Sequence, residues 1–277
     1  MGKQFLTYEQ QLLNLTQNKG LIIEDEENAI SVLKSNNYIR LHIYFQQFSE
    51  NNRFIEGTTL DHILSAYEQE RSLRRLVSYY LETIEIKARS LVGHELGRAY
   101  GPDAFYDCSN FKNAVEWEKL NNQFTNASIR DESDAIENHI RNRPNGESEI
   151  WVVVEYLSFG DLSRLFGICD TRIQALIASS FGIHETLLKN WLEALSILRN
   201  VCAHYGFLRD RKFHTSPAIP KKLKSDLDNN KHLYSHVLAI CWLIESIERD
   251  QFIDQLHTLK PDFDKYGFPG NWEKYLY

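Results

Sequence analysis

Leu187–Arg211, LLKNWLEALSILRNVCAHYGFLRDR, sets the helical reading of the chain and carries its most reactive side chains. At about 100° per residue, Leu188, Trp191, Leu195, Leu198 and Cys202 share one apolar face, and Ala194, Ile197 and Val201 form a second. A helix with two apolar faces is expected to be buried on both. Ser196, Arg199, Asn200, Ala203 and His204 occupy the strip between them. Asn200 and His204 are four apart, a spacing at which the amide can bond one imidazole nitrogen and select its tautomer. The long fork of Arg199 can converge on an anion that the imidazole also reaches.

Chemically this set suits phosphodiester transesterification. A histidine moves the proton, and an arginine stabilises charge on the phosphorane without any metal. The same residues also read as a buried network bonded to carboxylates and carbonyls. Spacing alone does not decide, because an arginine stands five residues before a histidine at Arg89/His94, Arg199/His204 and Arg209/His214. Of these, Arg199/His204 has Asn after the arginine and Ala before the histidine, on an otherwise apolar helix.

The run Leu198-Arg199-Asn200-Val201-Cys202-Ala203-His204, followed by Arg211, resembles the HEPN signature of Abi-like (AbiD/AbiF type) abortive-infection proteins. Further likenesses follow in order along the chain: Gly20-Leu21-Ile22-Ile23, Asn37-Tyr38, Glu56-Gly57-Thr58-Thr59, Glu85 with Arg89, Ser158-Phe159-Gly160, Ile219-Pro220-Lys221-Lys222 and Gly267-Phe268-Pro269. The resemblance implies an all-α fold, a HEPN-like helical bundle with additional N-terminal and C-terminal helices. It also implies a metal-independent endoribonuclease of a phage-defence or toxin system, with no cofactor. Catalytic Arg199, Asn200 and His204 would face their copies across a homodimer. The partner would be RNA, including a specific small non-coding RNA if the protein binds without cutting. After the histidine the chain departs from the family pattern at Tyr205, Phe207, Arg209 and Asp210, where His, Arg, an aromatic and Asn are common.

Composition bounds the rest. A chain of 277 residues with 43% hydrophobic and 25% charged residues is globular and can bury a sizeable core. A net charge of −7 argues against a general nucleic-acid coat while leaving room for a local basic site. Cys108, Cys169, Cys202 and Cys241 are far apart, so free thiols are expected rather than zinc or disulfides. Without a signal-like start or a long apolar run, the expected location is the cytoplasm, away from membranes.

A single domain over 1–277 is expected, with N-terminal helices in 1–100, a motif-bearing core in 149–250 and an aromatic tail in 251–277. Residues 1–19 read as polar and peripheral, with Phe5 and Leu6 as candidate anchors. Acids at 24–27 open a helix. Tyr38–Phe45 passes for a strand on local pattern, and the resemblance moves it to helix. Thr58 with Asp61 reads as a capping box opening a long helix over 59–98. In that helix Glu85 and Arg89 form a supporting pair, or Arg89 joins His94 in a degenerate second half-site. A helix is expected near 114–128, then an acidic piece, Asp131–Glu137, and a loop with Arg141, Arg143 and Pro144. Helices follow over Trp151–Phe159, from Asp161 to Phe166, over Ile173–Phe181, from Leu187 to Leu208, and over His232–Ile247. Between the last two, Pro217 and Pro220 mark an extended basic loop. Arg209, Arg211, Lys212, Lys221 and Lys222 are its RNA- or phosphate-binding residues, or else a solvated surface.

Overall fold

The computed structural model describes residues 5–130, 147–224, 226–227 and 231–277. The acidic piece Asp131–Glu137 and the Arg141/Arg143 loop lie outside the described residues. The fold is all-α: eleven α-helices among the described residues, with one two-residue hairpin. No helix among them is long and apolar enough to cross a membrane. The chain divides into two compact units, 1–73 and 74–277, and the boundary falls inside a helix rather than in a linker.

In the first unit, α1 (Tyr8–Leu13) starts at a capping box. Gln10 N donates to Thr7 Oγ1, and Thr7 N donates back to Gln10 Oε1 at 2.9 Å. It buries Leu12, while Phe5 is 85% exposed and anchors nothing. Helix α2 (Glu26–Ser35) is capped by Asp25, with Glu26 and Glu27 in its first turn. Helix α3 (Tyr38–Phe45) is helical, as the resemblance implied, and its Leu41, Tyr44 and Phe45 are buried. Strands β1 (Ser49–Glu50) and β2 (Arg53–Phe54) are joined by Asn51 and Asn52, both at positive φ, as a tight hairpin turn requires.

Helix α4 (Leu60–Tyr100) runs through the unit boundary. Its cap is Thr59 rather than Thr58: His62 N donates to Thr59 Oγ1, while the Thr58 hydroxyl turns to Ile55 O. In the second unit its Val77, Leu81, Ile84, Ala88, Val92 and Leu96 are all fully buried. Helix α5 (Ala114–Arg130) lies close to its expected span. Helix α6 (Ile150–Tyr156) comes against α4 at Gly93, where a Cβ would lie 3.2 Å from the Trp151 Cα, so glycine is what permits the approach. The break expected between Phe159 and Asp161 moves upstream, to Leu157 and Ser158. Ser158 Oγ accepts from Asp161 N and starts α7 (Phe159–Ile168), with Gly160 inside it. Helices α8 (Thr171–Ser179) and α9 (Glu185–Ala203) follow after short turns, and α9 packs on α7, α8 and α10 (Leu233–Leu243).

Helix α10 is buried at every residue but Trp242, which is set edge-on to Trp191 at 5.9 Å. The helix expected over His232–Ile247 is in fact two. Ile244 is extended, and Glu245 with Glu248 forms a capping box that opens α11 (Ser246–Leu259). The aromatic tail folds back on this unit. Phe268, Trp272 and Tyr275 are buried, Tyr234 Oη donates to Trp272 O at 2.9 Å, and Trp242 Nε1 donates to Tyr275 O at 3.0 Å. None of the four cysteines is in a disulfide, and burial pushes the Cys169 thiol up to about 12.

His236 on α10 is completely buried, 4.2 Å from the Phe213 ring, with Nδ1 3.3 Å from His232 O and Nε2 unbonded among the described residues. Burial lowers its pKa from 6.5 to about 3. The unfolded chain therefore binds a proton below pH 6.5 that the folded chain does not, and stability falls as pH drops toward 3. The loss is on the order of 1 kcal/mol per pH unit below the unfolded value, or roughly 3 kcal/mol at pH 4.5. Urea unfolding at pH 7 and pH 4.5 is expected to show this difference between the wild type and His236→Leu. Parallel pH dependences of the two proteins would refute it.

Candidate active site

The motif helix ends sooner than its apolar pattern suggests, at Ala203 instead of Leu208. His204 is the C-cap, Tyr205 turns left-handed at φ 57°, Tyr205 N donates to Cys202 O at 3.0 Å, and Gly206 N donates to Val201 O at 2.7 Å. These bonds make a Schellman cap whose left-handed position holds a tyrosine where glycine is usual, at a cost on the order of 1 kcal/mol. Gly206 is required by space, since a Cβ there would lie 2.9 Å from Val201 O. The Gly206 carbonyl in turn accepts from Arg74 Nη1 at 3.5 Å, so α4 holds the turn from below.

This geometry leaves the reactive strip at the surface, contrary to the burial expected from two apolar faces. Leu188, Trp191, Leu195 and Leu198 are fully buried, but Ile197 on the second face is 36% exposed. His204 is exposed, and its ring makes no hydrogen bond among the described residues. Asn200 is exposed too and does not orient the imidazole; its Oδ1 accepts from Arg199 Nη1 at 3.2 Å.

Arg199 is aimed by a buried carboxylate. Its Nε lies 3.5 Å from Glu85 Oε2, while Glu85 Oε1 takes Arg89 Nη2 and Arg89 Nη1 donates to Val154 O. Glu85 and Arg89 are 8% and 9% exposed. The pair that reads from sequence as an ordinary helix contact is therefore the buried part of a chain of contacts from α6 through α4 to the exposed motif, Val154–Arg89–Glu85–Arg199–Asn200. Sequence reasoning paired Glu85 with Arg89 but did not join it to Arg199, and it gave Arg74 no role at the motif. No local pattern marks contacts made across such long separations.

Arg89 and His94 are not brought together. Arg89 is spent on Glu85, and the exposed His94 side chain lies about 140° further round the helix, 3.9 Å from Glu95. The basic loop also divides. Arg209 Nη2 bonds Asp262 at 2.9 Å, and Arg211 Nη1 donates to Phe207 O at 3.1 Å while lying over the Phe213 ring. Lys222 covers Trp242 at 4.5 Å. Lys212 and Lys221 are exposed, with no ion pair among the described residues.

The side chains brought to one solvent-facing spot are thus a guanidinium held by a buried carboxylate, an amide bonded to it and an unengaged imidazole. They can bind an anion, stabilise added negative charge and move a proton. No curated protein and no solved structure matches the chain. The family model of the Abi-like proteins matches residues 31–210, a span that takes in Glu85, Arg89, Arg199, Asn200 and His204. The chain belongs to the Abi-like protein family.

Proposed function

We propose that the protein is an endoribonuclease of the HEPN type, acting in bacterial abortive infection or a toxin system as a homodimer. The observation that carries this reading is His204, exposed and without internal partners at the end of α9, beside an Arg199 anchored by buried Glu85. The ribose 2′-oxygen attacks phosphorus as His204 of one copy takes its proton. Arg199 stabilises the phosphorane, and His204 of the second copy protonates the departing 5′-oxygen. The products are a 2′,3′-cyclic phosphate and a 5′-hydroxyl. Exposed Ile197, seven residues before His204 and on the same side of α9, offers apolar surface for the second copy. Asn200 acts through Arg199, and Lys212 and Lys221 add phosphate contacts.

A second reading, an RNA-holding protein that does not cut, draws on Asn200 being engaged by Arg199 and on Arg209 being committed to Asp262. Incubation of the purified protein with labelled RNA in EDTA separates the two. Fragments ending in cyclic phosphate, produced by a species that sediments as a dimer at micromolar concentration, are the expected result. Cleavage that needs a divalent ion, or leaves 3′-hydroxyl ends, would sink the proposal. Retention of intact RNA would favour the second reading.

A further inference from the structure

The loop after the motif builds a second polar site that the nuclease chemistry does not use. Asn190, His214, Thr215, Ser216 and Lys231 line a hollow of about 240 Å³ without a carboxylate among them. Asn190 Oδ1 accepts from Ala218 N at 2.6 Å, which pins the loop to α9 and leaves the amide NH2 to donate. Ser216 Oγ is buried with no hydrogen-bond partner among the described residues. The His214 ring, the Thr215 hydroxyl and the Lys231 ammonium make no hydrogen bond or ion pair among the described residues either. His214 and Lys231 are exposed, so their polar ends are open to a ligand. A buried hydroxyl such as that of Ser216 is costly to leave unpartnered unless something supplies the missing bond. Helix α10 begins two residues after Lys231 without a side-chain cap, so its N-terminal dipole adds to the positive potential. The third arginine–histidine pair is split by the fold: Arg209 goes to Asp262 and His214 to this hollow.

The geometry points to a phosphate subsite formed by Asn190, His214, Thr215, Ser216 and Lys231, which holds the backbone of single-stranded RNA away from the cleavage site. It rests on the nuclease reading for the identity of its ligand. Asn190 and His204 lie within about 40° of each other around α9 and about 21 Å apart along it. That separation is about six stacked nucleotides at roughly 3.4 Å each. A phosphate in the hollow and a scissile phosphate at His204 therefore belong to one strand laid along the exposed side of α9, past Glu193, Ile197 and Asn200. The subsite gives the enzyme a preference for substrates long enough to reach both points. The adjoining cleft around Lys212 contains Asp226 and Asp264, whereas no carboxylate is among the residues that line the hollow.

Two measurements test the site. Inorganic phosphate is titrated into the protein while the imidazole resonances of His214 are followed by NMR, with exposed His94 as reference. A saturable shift at His214, absent at His94 and abolished by Lys231→Gln, is expected; no saturable shift overturns the proposal whether or not the protein cuts RNA. Binding is then measured against salt in a His204→Ala background, with RNAs of about twelve and about three nucleotides. Lys231→Gln combined with Ser216→Ala is expected to weaken the longer RNA about fivefold and lower its salt slope by roughly 0.7 per lost phosphate contact, leaving the shorter one unchanged. The exposed α5 lysine variant Lys119→Gln should change neither. Phosphate binding at His214 with unaltered binding of the longer RNA would overturn the assignment to an RNA track. If the wild type cuts no RNA in EDTA while both effects appear, the nuclease reading fails and the subsite stands.

Discussion

His204→Ala is expected to lower RNA cleavage by about a hundred- to ten-thousand-fold, the range for loss of a general acid–base group, with no comparable loss of RNA binding. In a composite site the effect falls at the upper end, because one substitution removes the imidazole from both copies. The expected change in stability is small, within about 0.5 kcal/mol, because the ring is exposed and makes no hydrogen bond among the described residues. The backbone role of the residue, donating from the helix C-cap to Asn200 O, is retained by alanine. Turnover and melting temperature measured on the same preparations check this. A variant that melts several degrees lower and still cuts at the wild-type rate would make His204 a structural cap.

Glu85→Ala is expected to reduce both stability and cleavage. The carboxylate is buried between two guanidiniums, and its removal leaves Arg89, itself 9% exposed, with Val154 O as its remaining bonded partner. Breaking a buried ion pair on one side costs about 3–5 kcal/mol. Arg199 loses its anchor at the same time, so kcat is expected to fall more than KM rises. A double variant, Glu85→Ala with Arg89→Met, separates the two effects. Removing the stranded charge is expected to restore most of the unfolding free energy, measured by urea denaturation, while cleavage stays low. Recovery of full cleavage in the double variant would show that Glu85 acts only through stability. Glu85→Gln, which keeps the volume and one hydrogen bond, is expected to lie between wild type and Glu85→Ala in both measurements.

Long helices were legible in the sequence because apolar repeats and caps are local. The stripe Val77–Leu81–Ile84–Ala88–Val92 predicts α4 nearly to its ends, and the face Leu188–Trp191–Leu195–Leu198 predicts α9. Their limits were harder to read wherever the stop signal was unusual. Helix α9 ends in a Schellman cap with Tyr205 in the left-handed position, where a glycine would have announced it. The break between α10 and α11 has neither glycine nor proline; Ile244 turns extended, and the Glu245–Glu248 capping box starts the next helix.

The site divides along the same line. The sequence by itself determined the all-α class, the motif Arg199, Asn200 and His204, and membership of the Abi-like family, because helical periodicity and a motif are properties of neighbouring residues. Only the tertiary structure decided that the motif strip faces solvent, since Ile197 is left uncovered among the described residues. It alone decided that Glu85 aims Arg199, that Arg74 supports the turn after His204, and that the basic loop splits into residues tied into the fold and residues left at the surface. Each tie behind these outcomes joins residues far apart in the chain: Glu85 to Arg199, Arg74 to the Gly206 carbonyl, Arg209 to Asp262. Its energy comes from burial and charge pairing, which exist only once the helices have packed.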